Sequence, residues 1–289
     1  MLQIFIPSYR RPDTTTTPAL LDECGVKYTL IVREYEYAAY RASFPSSKIM
    51  TIGNKDGLNA AREAARQQVN KGAWCLHMDD NVRGFVQCKK GFYRHNDCIV
   101  LDENETMITR AKWQSTLCEP ATFAQFYDLI VCDTLVEANG RGAYLAGFSA
   151  HENPAFRGKK FTDVGYVCGK VMLMRNCGLS WNQSKESSGE DYALTAAHLY
   201  DHGRVLINKW GHPLRAHYQQ GGCGPYDERL PAMLRAQREL KRRYGDLFAI
   251  KNEGKSDKKQ GELRIRFTNL EQVDVWRRAL KKDPNRRMI

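Results

Sequence analysis

The chain has 289 residues, of which 42% are hydrophobic and 10% aromatic, and its formal net charge is +11. This composition is that of a globular protein and excludes an intrinsically disordered one. No apolar run approaches the ~20 residues that a membrane span requires, and the apolar stretch at residues 2–6 is too short for a secretion signal. We therefore expect a cytoplasmic protein with no membrane partner, and the sequence indicates no obligate protein partner.

The nine cysteines are scattered along the chain and contain no C-x-x-C pair. An odd number at irregular spacing argues against a disulfide framework and against a structural zinc site. We expect reduced and mostly buried thiols.

Most of the positive charge lies near the C-terminus. Residues 226–289 hold 18 Lys+Arg against 10 Asp+Glu, so this quarter of the chain carries +8 of the net +11. Such a region is suited to polyanions, with nucleic acid ahead of a membrane surface. A basic surface that only promotes solubility is the alternative.

Strands and helices alternate in the first 80 residues. Short β-rich runs at 2–6, 27–32, 48–52 and 73–78 are separated by helical patterns at 17–24, 35–43 and 57–70. The first helix has a Thr-Pro start and a terminating Gly. Alternation at this spacing predicts a parallel sheet with right-handed crossovers, a Rossmann-like half.

The rest of the chain is less regular. We expect mixed β and turn structure over 84–111, strands at 144–150 and 170–175, a polar linker at 252–261, and helices at 122–139, 188–202 and 231–244. The fold class is therefore α/β, with a mostly parallel central sheet flanked by helices. We expect a catalytic domain over residues 1–225 and a basic, helical C-terminal extension over residues 226–289.

Two polar segments follow predicted strands, where ligands bind in parallel α/β sheets. Pro7-Ser8-Tyr9-Arg10-Arg11-Pro12 follows the first strand, and Asp79-Asp80-Asn81 follows the fourth. Adjacent acids repel unless a cation or hydrogen-bond donors balance them. Their oxygens suit Mg²⁺ or Mn²⁺. An exposed acidic turn is the alternative for the triplet alone.

In combination, these segments resemble GT-A glycosyltransferases over roughly residues 1–225. Residues 6–12 are similar to the family's nucleotide-binding loop, residues 76–81 to its D-x-D region, and residues 57–62 to a helix that reaches the nucleotide. The resemblance implies a metal-dependent enzyme with a UDP-sugar donor, Mn²⁺ or Mg²⁺ as cofactor, and a donor site formed by Pro7, Ser8, Tyr9, Arg10, Asn59, Arg62, Asp79 and Asp80.

The same resemblance implies the remaining roles. Ser188-Gly189-Glu190-Asp191-Tyr192 is similar to the acidic motif at the acceptor, so Asp191 is the expected general base, with Glu190 beside it. The expected metal ligands are Asp80, Asn81 and His217, and His212 falls in the same late region. Asn81 departs from the usual Asp and puts metal dependence in question.

Structural alternatives stand beside these roles. Acids in the first turn of a helix gain from the helix dipole, and Ser188-x-x-Asp191 also resembles a capping box. Arg62 is equally compatible with a solvated helix position. His217 is equally compatible with an ordinary core or surface histidine.

The basic tail, together with Tyr-Gly-Asp-Leu-Phe at 244–248, is similar to TET-associated glycosyltransferases, mostly of phage. That resemblance implies DNA as the acceptor, modified at hydroxymethylated pyrimidines such as 5-hydroxymethylcytosine. On the helix 231–244, Arg235, Arg238 and Arg242 share one face with Lys241 beside it, and these four are the expected DNA-binding residues.

Three alternatives remain. One is a GT-A enzyme that acts on a protein, lipid or polysaccharide. The second is a catalytically silent nucleic-acid-binding module on the same scaffold. A nucleotidyltransferase is also conceivable, but no glycine-rich phosphate loop with a Lys follows the first strand.

Overall fold

An eight-stranded sheet forms the centre of the computed structural model. The structure describes residues 2–55, 57–88, 93–95, 99–101, 118–150, 160–181, 189–215, 226–251 and 262–282. The strand order is β10-β12-β9-β11-β4-β1-β2-β3, where the strands are β1 Gln3–Pro7, β2 Thr29–Val32, β3 Lys48–Thr51, β4 Trp74–Met78, β9 Leu145–Phe148, β10 Phe161–Thr162, β11 Val171–Arg175 and β12 Leu206–Asn208.

The alternating half predicted from the first 80 residues is confirmed. Strands β3, β2, β1 and β4 are parallel neighbours, and helices α1 (Thr17–Asp22), α2 (Tyr37–Ser43) and α3 (Leu58–Gln67) connect them. All four residues of β2 are buried, as expected for a strand covered on both faces.

The second half of the sheet is mixed. Strand β11 is antiparallel to both of its neighbours, β4 and β9, and β10 is antiparallel to β12. Six of the eight strands therefore share one direction. A smaller sheet has the order β13-β5-β8; its strands are β5 Val82–Cys88, β8 Cys118–Ala121 and β13 Gly211–Arg215. It is linked to the main sheet by the Ser149 N–H, which follows β9 and donates to the Gly211 carbonyl at 3.0 Å.

Hydrophobic clusters cover both faces of the main sheet. On β1, Phe5 belongs to one cluster, whereas Ile4 and Ile6 belong to the other, because successive strand residues point to opposite faces. Helices α4 (Phe123–Phe126) and α5 (Cys132–Arg141), joined by a π-helical turn, pack with Ile4 and Ile6. Helix α6 (Glu190–His202) packs with Phe5.

The C-terminal segment packs into the same cluster as α6. It comprises helix α7 (Tyr226–Tyr244), the hairpin β14–β15 (Phe248–Lys251 and Glu262–Ile265) and helix α8 (Leu270–Lys282). Leu240, Tyr244 and Trp276 are buried beside residues of α6, and Trp276 Nε1 donates to the Tyr244 carbonyl at 2.8 Å. The expected linker at 252–261 lies outside the described residues. A short hairpin, β6–β7 (Tyr93–His95 and Ile99–Leu101), completes the strands.

Within the described ranges, none of the helices is both long enough and apolar enough to cross a bilayer.

Candidate active site

The loops after β1 and β4 meet through Ser8, Arg11 and Asp80. Ser8 Oγ donates to Asp80 Oδ2 at 2.6 Å, and Arg11 Nη1 donates to Asp80 Oδ1 at 2.8 Å. Ser8 Oγ also lies 2.6 Å from the hydroxyl of Tyr40 on α2. The two segments that the sequence placed at strand ends therefore form one site.

Asp80 is a buried acid with a partner on each oxygen. Burial raises its pKa, while Arg11 and the Ser8 hydrogen bond oppose that shift. Its carbonyl accepts the backbone N–H groups of Thr16 and Thr17 at the start of α1. Asp80 thus joins three elements, and only 6% of the residue is exposed.

Asp79 is the more accessible acid, with 19% of its side chain exposed. Its Oδ1 accepts from Arg62 at 3.0 Å, and its Oδ2 lies 3.4 Å from Nη1 of Arg215 on β13. Two guanidinium groups therefore balance the acid that precedes Asp80.

Arg62 lies at the centre of the site. It is only 1% exposed, so a solvated position on α3 is wrong. Besides Asp79 it binds Glu190 Oε1 at 3.0 Å and the Gly169 carbonyl at 2.9 Å. Its guanidinium lies 5.0 Å from the centroid of the Trp181 ring. Since buried charges require partners, Arg62 holds the β4 loop and the start of α6 together.

Glu190 and Asp191 form the first turn of α6. The helix is preceded by Gly189. Ser188 lies outside the described residues, so the capping box from Ser188 stays a prediction. Burial, then the neighbouring Asp191, raise the pKa of Glu190 to about 8, while Arg62 opposes the shift.

Asp191 is held by hydrogen bonds from three residues. Its Oδ2 accepts from the Tyr166 hydroxyl and from the Gly169 N–H at 3.1 Å, and its Oδ1 accepts from the Tyr192 N–H at 2.9 Å. Glu190 accepts from Arg62 on Oε1 at 3.0 Å, and its own backbone N–H also donates to its carboxylate. Of the two acids, Glu190 is bound by fewer other residues.

Tyr9 and Arg10 lie at the rim of the site. The Arg33 guanidinium stacks on the Tyr9 ring at 3.7 Å and lies 5.9 Å from the ring centroid of Tyr35, which is 58% exposed. The Arg10 N–H donates to Glu36 Oε1 at 2.6 Å. Pro7 ends β1 and is buried.

The remaining predicted residues fall in three places. Asn59 is buried in the first turn of α3, and Asn81 is half-buried beside Asp80. His212 is buried on β13, with Nδ1 2.7 Å from the Ser149 carbonyl. His217 lies outside the described residues, so its predicted metal role stays a prediction.

Arg235, Arg238 and Arg242 are exposed on α7, and Lys241 is half-buried. Ala236, Leu240 and Tyr244 line the buried face of the same helix. The three arginines therefore lie on the outer face of α7, whereas the apolar residues of the helix face the core.

Sequence reasoning missed several contributors. Arg11 lay inside a quoted motif without a role, whereas Arg215, Tyr166 and Gly169 carried no motif at all. They reach the site because β13 and the segment before β11 end near Asp79, where the Asp79 N–H donates to the Lys170 carbonyl at 2.8 Å. Only tertiary structure supplies that proximity.

The fold and the site define a mixed α/β protein with an acidic, arginine-lined centre at strand ends, where such sheets bind ligands. Residues 2–118 match the family model of the TET-Associated Glycosyltransferases. The chain therefore resembles this family over its N-terminal part, which holds Ser8, Arg62, Asp79 and Asp80 but precedes Glu190. The match supports glycosyltransferase activity. No curated protein matches the chain.

Proposed function

We propose that this protein is a GT-A-type glycosyltransferase that transfers a sugar from a UDP-sugar to a hydroxyl group of DNA. One observation carries the proposal. Arg62 joins Asp79, at the end of β4, to Glu190, at the start of α6, with 3.0 Å between the paired atoms in both cases. A donor-side acid and an acceptor-side acid are thereby fixed around one centre, within a chain whose residues 2–118 resemble glycosyltransferases.

The donor base fits the rim formed by Tyr9, Arg33 and Tyr35. A nucleobase stacks favourably on aromatic rings and on guanidinium planes, and Tyr35 presents an exposed ring. Arg11 and Arg215 lie further in, against Asp80 and Asp79 respectively. Arg215, with 34% of its side chain exposed, is placed to meet a diphosphate.

A divalent cation fits the chemistry of the donor set, although the carboxylates already have partners. Asp79, Asp80 and Asn81 offer the hard oxygens that Mn²⁺ and Mg²⁺ prefer. Asp79 is the better placed ligand, since its carboxylate is the more exposed and its contact with Arg215 is long. A cation held there would neutralise the diphosphate and stabilise it as a leaving group. Arg11 and Arg215 supply part of the positive charge that balances the diphosphate.

Glu190 is the general base that the geometry favours over Asp191. Its Oε2 takes the proton of the acceptor hydroxyl as that oxygen attacks the anomeric carbon. The bond from that carbon to UDP breaks, UDP leaves with the electron pair, and the configuration inverts. A pKa of about 8 lies close to neutral operating pH, where general bases are most effective. Asp191 then positions Tyr166 and Gly169.

The acceptor proposal rests on α7. Its exposed face carries Arg235, Arg238 and Arg242, which suits phosphate contacts. A hydroxymethylated pyrimidine inside a duplex has to be flipped out to reach an enzyme pocket, at a cost of a few kcal/mol.

Transfer is tested with a panel of UDP-sugars, Mn²⁺ and DNA containing 5-hydroxymethylcytosine. The DNA is digested to nucleosides, and a mass increase of one hexose on the modified base is expected. Unmodified DNA is the control. Transfer to a protein, lipid or polysaccharide but not to DNA supports the first alternative, and absence of both transfer and UDP-sugar hydrolysis supports a silent binding module.

The metal is tested by the thermal stabilisation that UDP produces with and without Mn²⁺. We expect Mn²⁺ to enhance it, and Asp80→Ala or Asp79→Asn to abolish that enhancement. Stabilisation by UDP that is equal in Mn²⁺ and in chelator would reject metal dependence and leave Arg11 and Arg215 as the diphosphate ligands.

The base is tested by comparing Glu190→Gln with Asp191→Asn. Loss of a general base slows transfer by ~10²–10⁴-fold, and this decrease is expected for Glu190→Gln. In the parent, kcat/KM should rise with pH and level off above an apparent pKa near 8. Asp191→Asn should keep a rise of kcat/KM with pH, but the rise should move to lower pH, because the Asp191 charge that helps to raise the pKa of Glu190 is gone. If Asp191→Asn loses the profile and Glu190→Gln keeps it, the roles are reversed.

A further inference from the structure

Three side chains of types that can bind a metal lie together near the N-terminal end of β4, at the opposite end of that strand from Asp79. Cys177 follows β11, whereas His198 and His202 lie in the last turns of α6. One potential ligand atom from each lies within 4.8 Å of the other two. Strand β11 runs antiparallel to β4, with Val171 beside Met78 and Arg175 beside Trp74. Cys177 therefore lies beyond the N-terminal end of β4, away from Asp79.

His198 is the most unusual member of the group. It is fully buried, and neither ring nitrogen has a hydrogen-bond partner among the described residues. Buried polar atoms without partners are costly, and a bound ion is one way to satisfy them.

The other two ligands are held in place by their surroundings. His202 lies one turn after His198, so the two rings project from the same face of α6. The Tyr144 ring stacks on His202 with 4.3 Å between centroids. Before Cys177, Asn176 Nδ2 donates to the Val69 carbonyl at 2.6 Å.

We propose that Cys177, His198 and His202 bind one thiophilic divalent ion of the zinc class, with a water molecule as the fourth ligand. A thiolate with two imidazoles is a ligand set for zinc, whereas Mg²⁺ and Mn²⁺ prefer oxygen. This site differs from the proposed donor cation in place and in chemistry, and it does not depend on the proposed function.

The observed spacing is close to that of a loaded site. Ligands around tetrahedral zinc lie about 3.5 Å apart, given Zn–S and Zn–N bonds of about 2.3 and 2.0 Å. Small side-chain rotations are enough to reduce separations of up to 4.8 Å to that value. Cys177 and His202 are half-buried, so solvent reaches the site and an ion can enter.

The ion has a structural role. It ties the C-terminal turns of α6 to the turn after β11, while the N-terminal turn of α6 carries Glu190. Glu190 and His202 are 12 positions apart, which corresponds to about 18 Å of helix. Zinc would therefore fix the helix that presents the proposed base without touching the reacting atoms.

The test uses the full chain, stripped with a chelator and then titrated with Co²⁺ and Zn²⁺. We expect one equivalent of Co²⁺ to give a thiolate-to-cobalt charge-transfer band that Zn²⁺ abolishes by displacement, and Zn²⁺ to raise the Tm. Mn²⁺ should neither give this band nor displace Co²⁺ from the site. Cys177→Ser should lose the band. His202→Gln should weaken binding by at least the ~10–100-fold that loss of an outer-shell partner costs.

The matched control is Cys132→Ser, a half-buried cysteine on α5, which should keep the band unchanged. A parent protein without a stoichiometric charge-transfer band would overturn the proposal. The same band in Cys177→Ser as in the parent would overturn it too, because another thiol would then be the ligand.

Discussion

Arg62 and Glu190 form a buried ion pair of 3.0 Å between residues 128 positions apart. The guanidinium also holds Asp79 at 3.0 Å. The side chain of Arg62 is 1% exposed and those of Glu190 and Asp79 are 10% and 19% exposed. The pair therefore joins the two halves of the site in a poorly solvated environment, where removing one partner leaves the others uncompensated.

Arg62→Gln should lower the free energy of unfolding by about 3–5 kcal/mol, because it leaves Asp79 without its buried cation and Glu190 without its hydrogen-bond donor. Urea unfolding measures the change. Arg141→Gln is the matched control, since its partners Glu137 and Asp163 and Arg141 itself are partly exposed; it should cost no more than about 1 kcal/mol. Equal losses in the two variants would contradict the role of Arg62.

The stability contribution of Glu190 should depend on pH. Glutamate titrates near pH 4.3 in an unfolded chain, whereas the pKa of Glu190 in the fold is about 8. Between these values the folded state retains a proton that the unfolded state has lost. The stabilisation that comes from the raised pKa of Glu190 is therefore fully present below pH about 4.3 and is lost as the pH rises to about 8.

Glu190→Gln cannot titrate, so it isolates this effect. In urea unfolding at pH 5 and at pH 8, the stability of the parent relative to Glu190→Gln should fall with rising pH. A stability difference that stays constant between the two pH values would show that Glu190 keeps an ordinary pKa in the fold.

Gly169→Ala should reduce transfer while leaving the fold largely intact. A Cβ at this position would lie 3.0 Å from Arg62 Nη2 and 3.2 Å from Asp191 Oδ2, so both charged groups have to move. Displacements of about 1 Å can cost ~10²-fold in rate. At Gly84 the nearest atom to an added Cβ is 3.8 Å away, so Gly84→Ala should retain activity. The rate of sugar transfer is measured in parallel for the two variants. Equal rates would show that the close packing of Gly169 against Arg62 and Asp191 does not limit transfer.

Replacing Arg235, Arg238 and Arg242 with Gln should weaken DNA binding irrespective of sequence. Each lost phosphate contact flattens the slope of log K against log salt by about 0.9. The fold should persist because the three residues are exposed and Gln is a good helix former. UDP-sugar hydrolysis without DNA should hardly change.

The control for that experiment changes the same charge elsewhere in the C-terminal segment. Arg278, Lys281 and Lys282 are exposed on α8, and their replacement with Gln should leave the salt slope near that of the parent. An equal decrease in both triple variants would mean that net charge, rather than α7, governs binding. No salt dependence in the parent would remove DNA as the acceptor.

Local patterns predicted much of the first half of the fold. The apolar runs of β1, β2 and β4 and the Thr-Pro start of α1 depend on neighbours in sequence, and the helices and strands formed where these patterns stand. The meeting of Ser8 with Asp80 followed from the same reasoning, since the carboxyl ends of parallel strands share one edge. The antiparallel β11 carried no comparable signal, because its direction is set by the strands on either side.

The sequence alone determined the alternating parallel half, the acids at the end of β4 and the basic outer face of α7, because each depends on periodicity or on a strand end. The tertiary structure decided which charges meet. It buried Arg62 between Asp79 and Glu190, brought Arg215 to Asp79, and placed Cys177 beside His198 and His202. These pairings join residues far apart in the chain, and their electrostatics depend on burial, which only packing supplies.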